Sequence, residues 1–222
     1  MNSFSCTNQG RENRGLIFNI QKFSLHDGPG IRDLIFMKGC RVRCQWCANP
    51  ESQRRHPEIA YNMDRCIGFE TCGVCQDVCP ENAISKGITG RAEIDRSRCN
   101  HCGTCATVCP DRALELMGRE MNIAEILDIV AADEGFHHRS GGGVTVGGGD
   151  PIMQADFVDA MLRACRARGI DTAVETAGYG GWNQLEKICR HANLVFYEVK
   201  SMDAEKHMAF TGVSNGQILE NL

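Results

Sequence analysis

The chain has 222 residues, with 24 Lys and Arg against 28 Asp and Glu, and 14 Cys. That length suits one medium domain, or one domain carrying a small insert, and a content of 42% hydrophobic and 23% charged residues argues against global disorder. The net charge of -4 offers no basic face for nucleic acid, and the longest apolar runs, Leu34–Met37 and Leu194–Tyr197, are far shorter than the roughly 20 residues that span a bilayer.

The first residues, MNSFSCTNQGRENRG, have no apolar stretch of the secretory kind and read as a tail over 1–14. The cysteines are then expected to face a reducing cytosol, where thiols serve as metal ligands or redox groups more than as disulfides. Eleven of them fall in three tight groups; Cys6, Cys165 and Cys189 lie outside, the last two as small core residues of helical stretches.

The first group follows a segment Ile17–Ser24, the run His26-Asp27-Gly28-Pro29-Gly30-Ile31-Arg32 and an apolar strand. It reads Cys40-x3-Cys44-x2-Cys47, with Trp46 between two of the thiols. Three thiolates on a four-iron cluster leave one iron with an open position, as an open metal site needs for catalysis. A zinc site with a distant fourth ligand is the alternative.

Residues 57–118 contain an internal repeat. Cys66-x5-Cys72-x2-Cys75-x3-Cys79-Pro80 is followed by Cys99-x2-Cys102-x2-Cys105-x3-Cys109-Pro110, and an apolar return follows each proline. The repeat resembles the bacterial two-cluster ferredoxin pattern, in which the fourth Cys of each run ligates the other cluster. Crossed pairing puts Cys66, Cys72, Cys75 and Cys109 on one cubane and Cys99, Cys102, Cys105 and Cys79 on the other. The x5 spacing is a departure that a longer loop absorbs. Structural zinc competes less well, because duplicated runs ending in Cys-Pro are not the usual zinc spacing.

Beyond the repeat, an amphipathic helix is expected over Asn122–Arg139, broken by Gly141–Gly143, with His137 and His138 as its solvated end. Val144–Val146 is a strand running into Gly147-Gly148-Gly149-Asp150. Ala155–Arg168 is a helix, Asp171–Thr176 a strand, Trp182–His191 a helix and Leu194–Lys200 a strand. Ser214–Asn215 caps a last helix. Met117, Met121, Met153, Met161, Met202 and Met208 read as core filler. Strands alternating with helices imply an α/β fold with a parallel sheet, and ligands gather at the strands' carboxyl ends.

The HDGPGIR run, the three-Cys motif with its Trp46, and the glycine and Glu198-Val199-Lys200 segments together resemble the radical S-adenosylmethionine (SAM) activases of glycyl radical enzymes, in the subgroup with a two-cluster ferredoxin insert. The likeness runs from about Gly15 to Leu222. It implies a partial (β/α) radical-SAM barrel over 15–56 and 119–222, with an α+β ferredoxin-like insert at 57–118. Family members usually continue through further strand–helix units, so the barrel is expected to be truncated at its C-terminus.

The resemblance also implies three 4Fe-4S clusters and SAM. Cys40, Cys44 and Cys47 would hold the catalytic cluster, with Trp46, Cys47, Ala48, Gly148, Gly149, Asp150, Glu198, Val199 and Lys200 around SAM. Asp150 replaces the family's Glu, and Glu198 its Asp. Glu175, Thr176 and Glu198 match positions that in some members line a monovalent cation site. The implied reaction is reductive cleavage of SAM, after which the 5′-deoxyadenosyl radical takes hydrogen from a glycine of a partner lyase, such as a diol dehydratase, choline trimethylamine-lyase or isethionate sulfite-lyase. A low-potential flavodoxin or ferredoxin would supply electrons to a monomeric, cytoplasmic, oxygen-labile enzyme. Two other readings stand beside it: an electron-transfer protein on a degenerate radical-SAM scaffold, and a radical-SAM enzyme acting on a small molecule.

Overall fold

The computed structural model describes residues 14–222; Cys6 and the tail up to residue 13 lie outside the described residues. The chain divides into two compact units, one of residues up to His56 together with Glu120–Leu222, and one of Pro57–Arg119.

The larger unit is built on a six-stranded sheet. Its strands are β1 (Arg14–Ser24), β2 (Arg32–Met37), β7 (Arg119–Asn122), β8 (Gly143–Gly148), β9 (Asp171–Thr176) and β10 (Leu194–Tyr197), in the order β10-β9-β8-β2-β1-β7. From β2 to β10 neighbouring strands run parallel, whereas β1 returns antiparallel to β2. β2 is buried along its whole length, and after the buried Arg32 and Asp33 it reads as the apolar run Leu34–Met37, as a central parallel strand should. Helices α3 (Ile123–Ala131), α5 (Ala155–Ala167) and α6 (Trp182–Arg190) lay apolar faces on the sheet. Ile126, Val130, Val158, Met161, Leu162, Leu185 and Ile188 meet Ile35, Val144, Val146 and Val174 in one core.

The expected helix over Asn122–Arg139 is two helices. Asn122 caps α3 through a reciprocal box with Glu125. The break falls at Asp133, whose buried carboxylate pairs with Lys22 at 2.5 Å. A second helix, α4 (Glu134–Ser140), starts there and ends on left-handed Gly141. His138 is exposed, but His137 is buried with Nε2 3.7 Å from the Asp33 carboxylate, so only one of the pair is a solvated end. Met121 and Met161 are core residues, whereas Met202 and Met208 are exposed. Cys165 is fully buried and Cys189 half-buried. The last strand stops at Tyr197, short of Lys200. Asn215 precedes α8 (Gly216–Glu220) without a side-chain cap, because its amide donates to the Ser201 and Met202 carbonyls.

Arg32 is fully buried and ties the strand starts together. Its guanidinium donates to the Thr145 hydroxyl (2.7 Å), the Val144 carbonyl (2.8 Å), the Asp171 carboxylate (2.9 Å) and the Pro29 carbonyl (3.1 Å). The last bond, with one from the Thr145 hydroxyl to the Asp27 carbonyl (2.6 Å), holds the His26–Gly30 loop on the sheet. Gly30 adopts φ +73 in that loop, and a Cβ there would stand 2.4 Å from the backbone nitrogen of Gly142.

The smaller unit has two two-stranded sheets. β3 (Glu58–Tyr61) pairs antiparallel with β6 (Leu114–Met117), and β4 (Ile84–Lys86) with β5 (Ala92–Ile94). Two one-turn helices, α1 (Val74–Asp77) and α2 (Thr104–Val108), complete it. Its small core is partly made of cysteines, with Cys75 and Cys105 buried beside Ile59, Ile84 and Leu114.

Candidate active site and cluster cavities

The parallel register brings four strand ends level. Met37 stands beside Gly148, and Tyr197 beside Thr176. The segments leaving those ends line one cleft of about 460 Å³. Cys40, Cys44 and Cys47 meet there with Trp46, Ala48, Gly148, Gly149, Asp150, Glu175, Thr176, Glu198 and Lys200; Val199 is not part of the lining. His26 and Asp27 border the same cleft.

The three-cysteine loop has little regular structure, so its backbone bonds go elsewhere. The Gly39 and Cys40 N–H groups donate to the Ser52 and Gln53 carbonyls. The Arg43 and Gln45 N–H groups donate to the Thr211 and Phe210 carbonyls, at the last turn of α7 (Ala204–Thr211). Trp46 packs edge-on against Phe210, with centroids 5.7 Å apart. Nothing in the spacing of residues 201–213 marks them as a clamp on residues 43–46.

The glycine segment approaches the loop closely. The Gly149 and Asp150 N–H groups donate to the Met37 and Gly39 carbonyls, each at 2.8 Å. A Cβ on Gly149 would lie 2.5 Å from the Gly39 oxygen, and Gly148 has φ +87. The Asp150 carboxylate is buried at the cleft wall. It accepts from the Thr176 hydroxyl (2.6 Å) and from the Ile152 and Ala177 N–H groups (3.2 Å each). Burial pushes this acid up to about 6 against those donors. Asp150 therefore ties β8 to β9 and starts the turn at Pro151, and Gly148 and Gly149 line the cleft beside it.

Electrostatics across the cleft are mixed. Lys200 contacts Glu198, which holds its proton more firmly despite burial, and the Cys44 and Cys40 thiols add to that effect. Burial pushes Cys40 up to about 12 and raises Cys44, with Lys200 opposing the latter shift. A cation bound at these sulfurs would supply what burial removes, since metal coordination deprotonates a thiol. Glu175 is pushed up to about 7, first by burial and then by Asp27 and Glu198. Asp27 hydrogen-bonds Glu175 and is a neighbour that spacing alone did not single out, although it stands inside the HDGPGIR run.

In the smaller unit the eight cysteines divide between two cavities. One is lined by Cys66, Cys72, Cys75 and Cys109, the other by Cys79, Cys99, Cys102 and Cys105. After each Cys-Pro a residue takes the left-handed conformation, Asn82 at φ 47 and Arg112 at φ 51. That turn aims the next N–H back at the ligand, from Ala83 to the Cys79 sulfur (3.3 Å) and from Ala113 to the Cys109 sulfur (3.2 Å). Repeated local strain beside sulfur acceptors fits a cluster, whose sulfurs carry negative charge. Among the described residues no three Cys, His, Asp or Glu groups close on a point fit for one metal ion.

The chain matches the model of the radical SAM superfamily over residues 96–222, that of a 4Fe-4S dicluster domain over 65–113 and that of a 4Fe-4S single cluster domain over 26–71. It is 48% identical over 215 residues to the isethionate sulfite-lyase activating enzyme of Oleidesulfovibrio alaskensis, covering 96% of this chain and 70% of that protein. It is 43% identical over 213 residues to the choline trimethylamine-lyase activating enzyme of the same organism (95% and 68%). It is 41% identical over 209 residues to the (2S)-3-sulfopropanediol dehydratase activating enzyme of Klebsiella oxytoca (94% and 66%).

Proposed function

The chain belongs to the radical SAM superfamily, among the activating enzymes of glycyl radical enzymes, and from that premise we propose how its residues divide the work. Iron–sulfur clusters and SAM are the cofactors of this family. We assign three 4Fe-4S clusters, one on Cys40, Cys44 and Cys47 and two in the insert. The observation that carries the assignment is the single cleft in which a loop of three thiols meets the ends of the parallel strands. Together, cluster and SAM supply a low-potential electron and a carbon-centred radical that takes hydrogen from a glycine of the partner.

The chain's own residues bind, orient and exclude. Cys40, Cys44 and Cys47 would hold the catalytic cluster with three thiolates, and the iron without one would be open to SAM. The backbone of Gly148 and Gly149 lets the methionine portion lie close, because no side chain intervenes. Lys200 and Glu198 meet its polar groups, Trp46 and Ala48 flank the nucleoside, and Val199 only spaces the pair. Asp150 holds the floor. Glu175, Thr176 and Glu198, with Asp27 beside them, form the side of the cleft where a monovalent cation would displace the proton that burial keeps on Glu175.

The partner is a glycyl radical lyase or dehydratase of the kinds named for the relatives, and the activase works as a cytoplasmic monomer served by flavodoxin or ferredoxin. The insert relays electrons to the catalytic cluster. Anaerobic, reduced protein should convert SAM to 5′-deoxyadenosine and methionine and place a glycyl radical signal on the partner. Cys44→Ala should abolish both while the insert clusters stay visible by EPR. Cleavage that persists in that variant overturns the assignment. A relay role fails if an intact catalytic cluster is reduced equally fast once the eight insert cysteines are replaced.

A further inference from the structure

The insert's repeat compares two cluster sites within one chain. Aligned on Cys66 and Cys99, the halves place Tyr61 and Ile94 at the same offset, five residues before the first ligand. The fold keeps the equivalence. Tyr61 ends β3 and lines the cavity of Cys66, while Ile94 ends β5 and lines that of Cys99. One site therefore carries a hydroxyl where the other carries only hydrocarbon.

That hydroxyl is buried, and no protein group meets it with good hydrogen-bond geometry. A buried hydroxyl without a partner costs about 1–3 kcal/mol, so its presence calls for an acceptor. The group it faces is the Cys66 sulfur, toward which the Ala92 and Gly68 N–H groups also point. Phe69, Val74 and Leu114 stand around the four cysteines, with Arg65 and Asp111 also on the lining. The second cavity, bordered by Glu81 and Asn100, has no hydroxyl at the equivalent place. Donors to a cluster's sulfurs favour the extra negative charge of its reduced state.

We propose that Tyr61 is a potential-tuning residue: its hydroxyl donates to the Cys66 thiolate and raises the reduction potential of that one insert cluster. The inference rests on the proposed reading that Cys66, Cys72, Cys75 and Cys109 hold a 4Fe-4S cluster. Donation to an ionised sulfur is of the stronger, charge-assisted kind. Reduction adds charge to that sulfur, so the bond is stronger in the reduced state. Losing it should shift the reduction equilibrium about tenfold toward the oxidised form, which for one electron is about 59 mV.

The test is an EPR-monitored redox titration of the whole, cluster-loaded protein, comparing wild type with Tyr61→Phe. One of the three midpoint potentials should become more negative by that amount while the other two hold. A second arm replaces Tyr61 with 3-fluorotyrosine, which keeps the shape and makes the hydroxyl a stronger donor, and should move the same midpoint upward. If Tyr61→Phe loses its cluster, the fluorotyrosine arm decides alone. Potentials unmoved in both proteins, or moved equally in all clusters, overturn the proposal. Iron content and EPR of the wild type separate this from failure of the underlying reading, because an insert without 4Fe-4S signals refutes the ligand assignment itself.

Discussion

Replacing Arg32 with Met tests whether the buried guanidinium is what holds the HDGPGIR loop to the sheet. Methionine fills similar length but donates nothing. It would strip partners from the Thr145 hydroxyl and the Val144 carbonyl, both at buried contacts, and from the Pro29 carbonyl at a partly buried one. Each buried acceptor left bare costs about 1–3 kcal/mol. Asp171 is 40% exposed on its side chain, so its ion pair is discounted to about 0.5 kcal/mol. The loss should come to about 3 kcal/mol, which for a chain of this size lowers Tm by about 6–12 °C. Arg32→Lys, which keeps the charge but not the fork, should fall between the two. Anaerobic thermal unfolding followed by circular dichroism measures this. Proteolysis within residues 26–30 should also quicken, because the Pro29 anchor is gone. A Met variant that melts within 2 °C of wild type refutes the reasoning.

Thr176→Val removes a donor that favours the ionised form of Asp150, whose acid is already raised to about 6 from 3.8. Stability linked to Asp150 is fully present below pH 3.8 and falls as pH rises through about 6. The variant also bares the Gly178 N–H, which donates to the Thr176 hydroxyl (3.0 Å), a loss of about 1–3 kcal/mol at any pH. The loss at pH 8 should exceed that at pH 5 by about 1 kcal/mol, and urea titrations showing equal loss at both would contradict it. Glu175, raised to about 7, must shed its proton before it can hold a cation. Stimulation of SAM cleavage by potassium should grow from pH 6 to pH 8 and vanish in Glu175→Gln; a pH-independent stimulation removes the cation from the account.

What could be read from the residues was whatever spacing encodes. The likeness of the repeat to a two-cluster ferredoxin divides eight cysteines into two sets, the same sets that line the two cavities, and the alternation of strands and helices locates Gly148, Glu175 and Glu198 at strand ends. Three things escaped. Asp150 could be placed at the cleft from its glycines, but a lone acid carries no sign of its partners, and only the packed neighbours Thr176 and Ala177 reveal what its carboxylate accepts from. His137 looked solvated because helical periodicity over 122–139 ran through the break at Asp133, an interruption set by the long-range partner Lys22. The hold of residues 210 and 211 on the three-cysteine loop runs through backbone carbonyls, which every sequence has and none advertises.

That hold has a consequence for how the protein is made. The thiols of residues 40–47 leave the ribosome early, yet the carbonyls that brace their loop belong to residues 210 and 211. The four cysteines of each insert cavity, by contrast, all lie between residues 66 and 109. On the proposed assignment, iron delivery would be ordered in time: a nascent chain could load its insert while the loop of residues 40–47 still lacks its brace, and the site on that loop would be completed last.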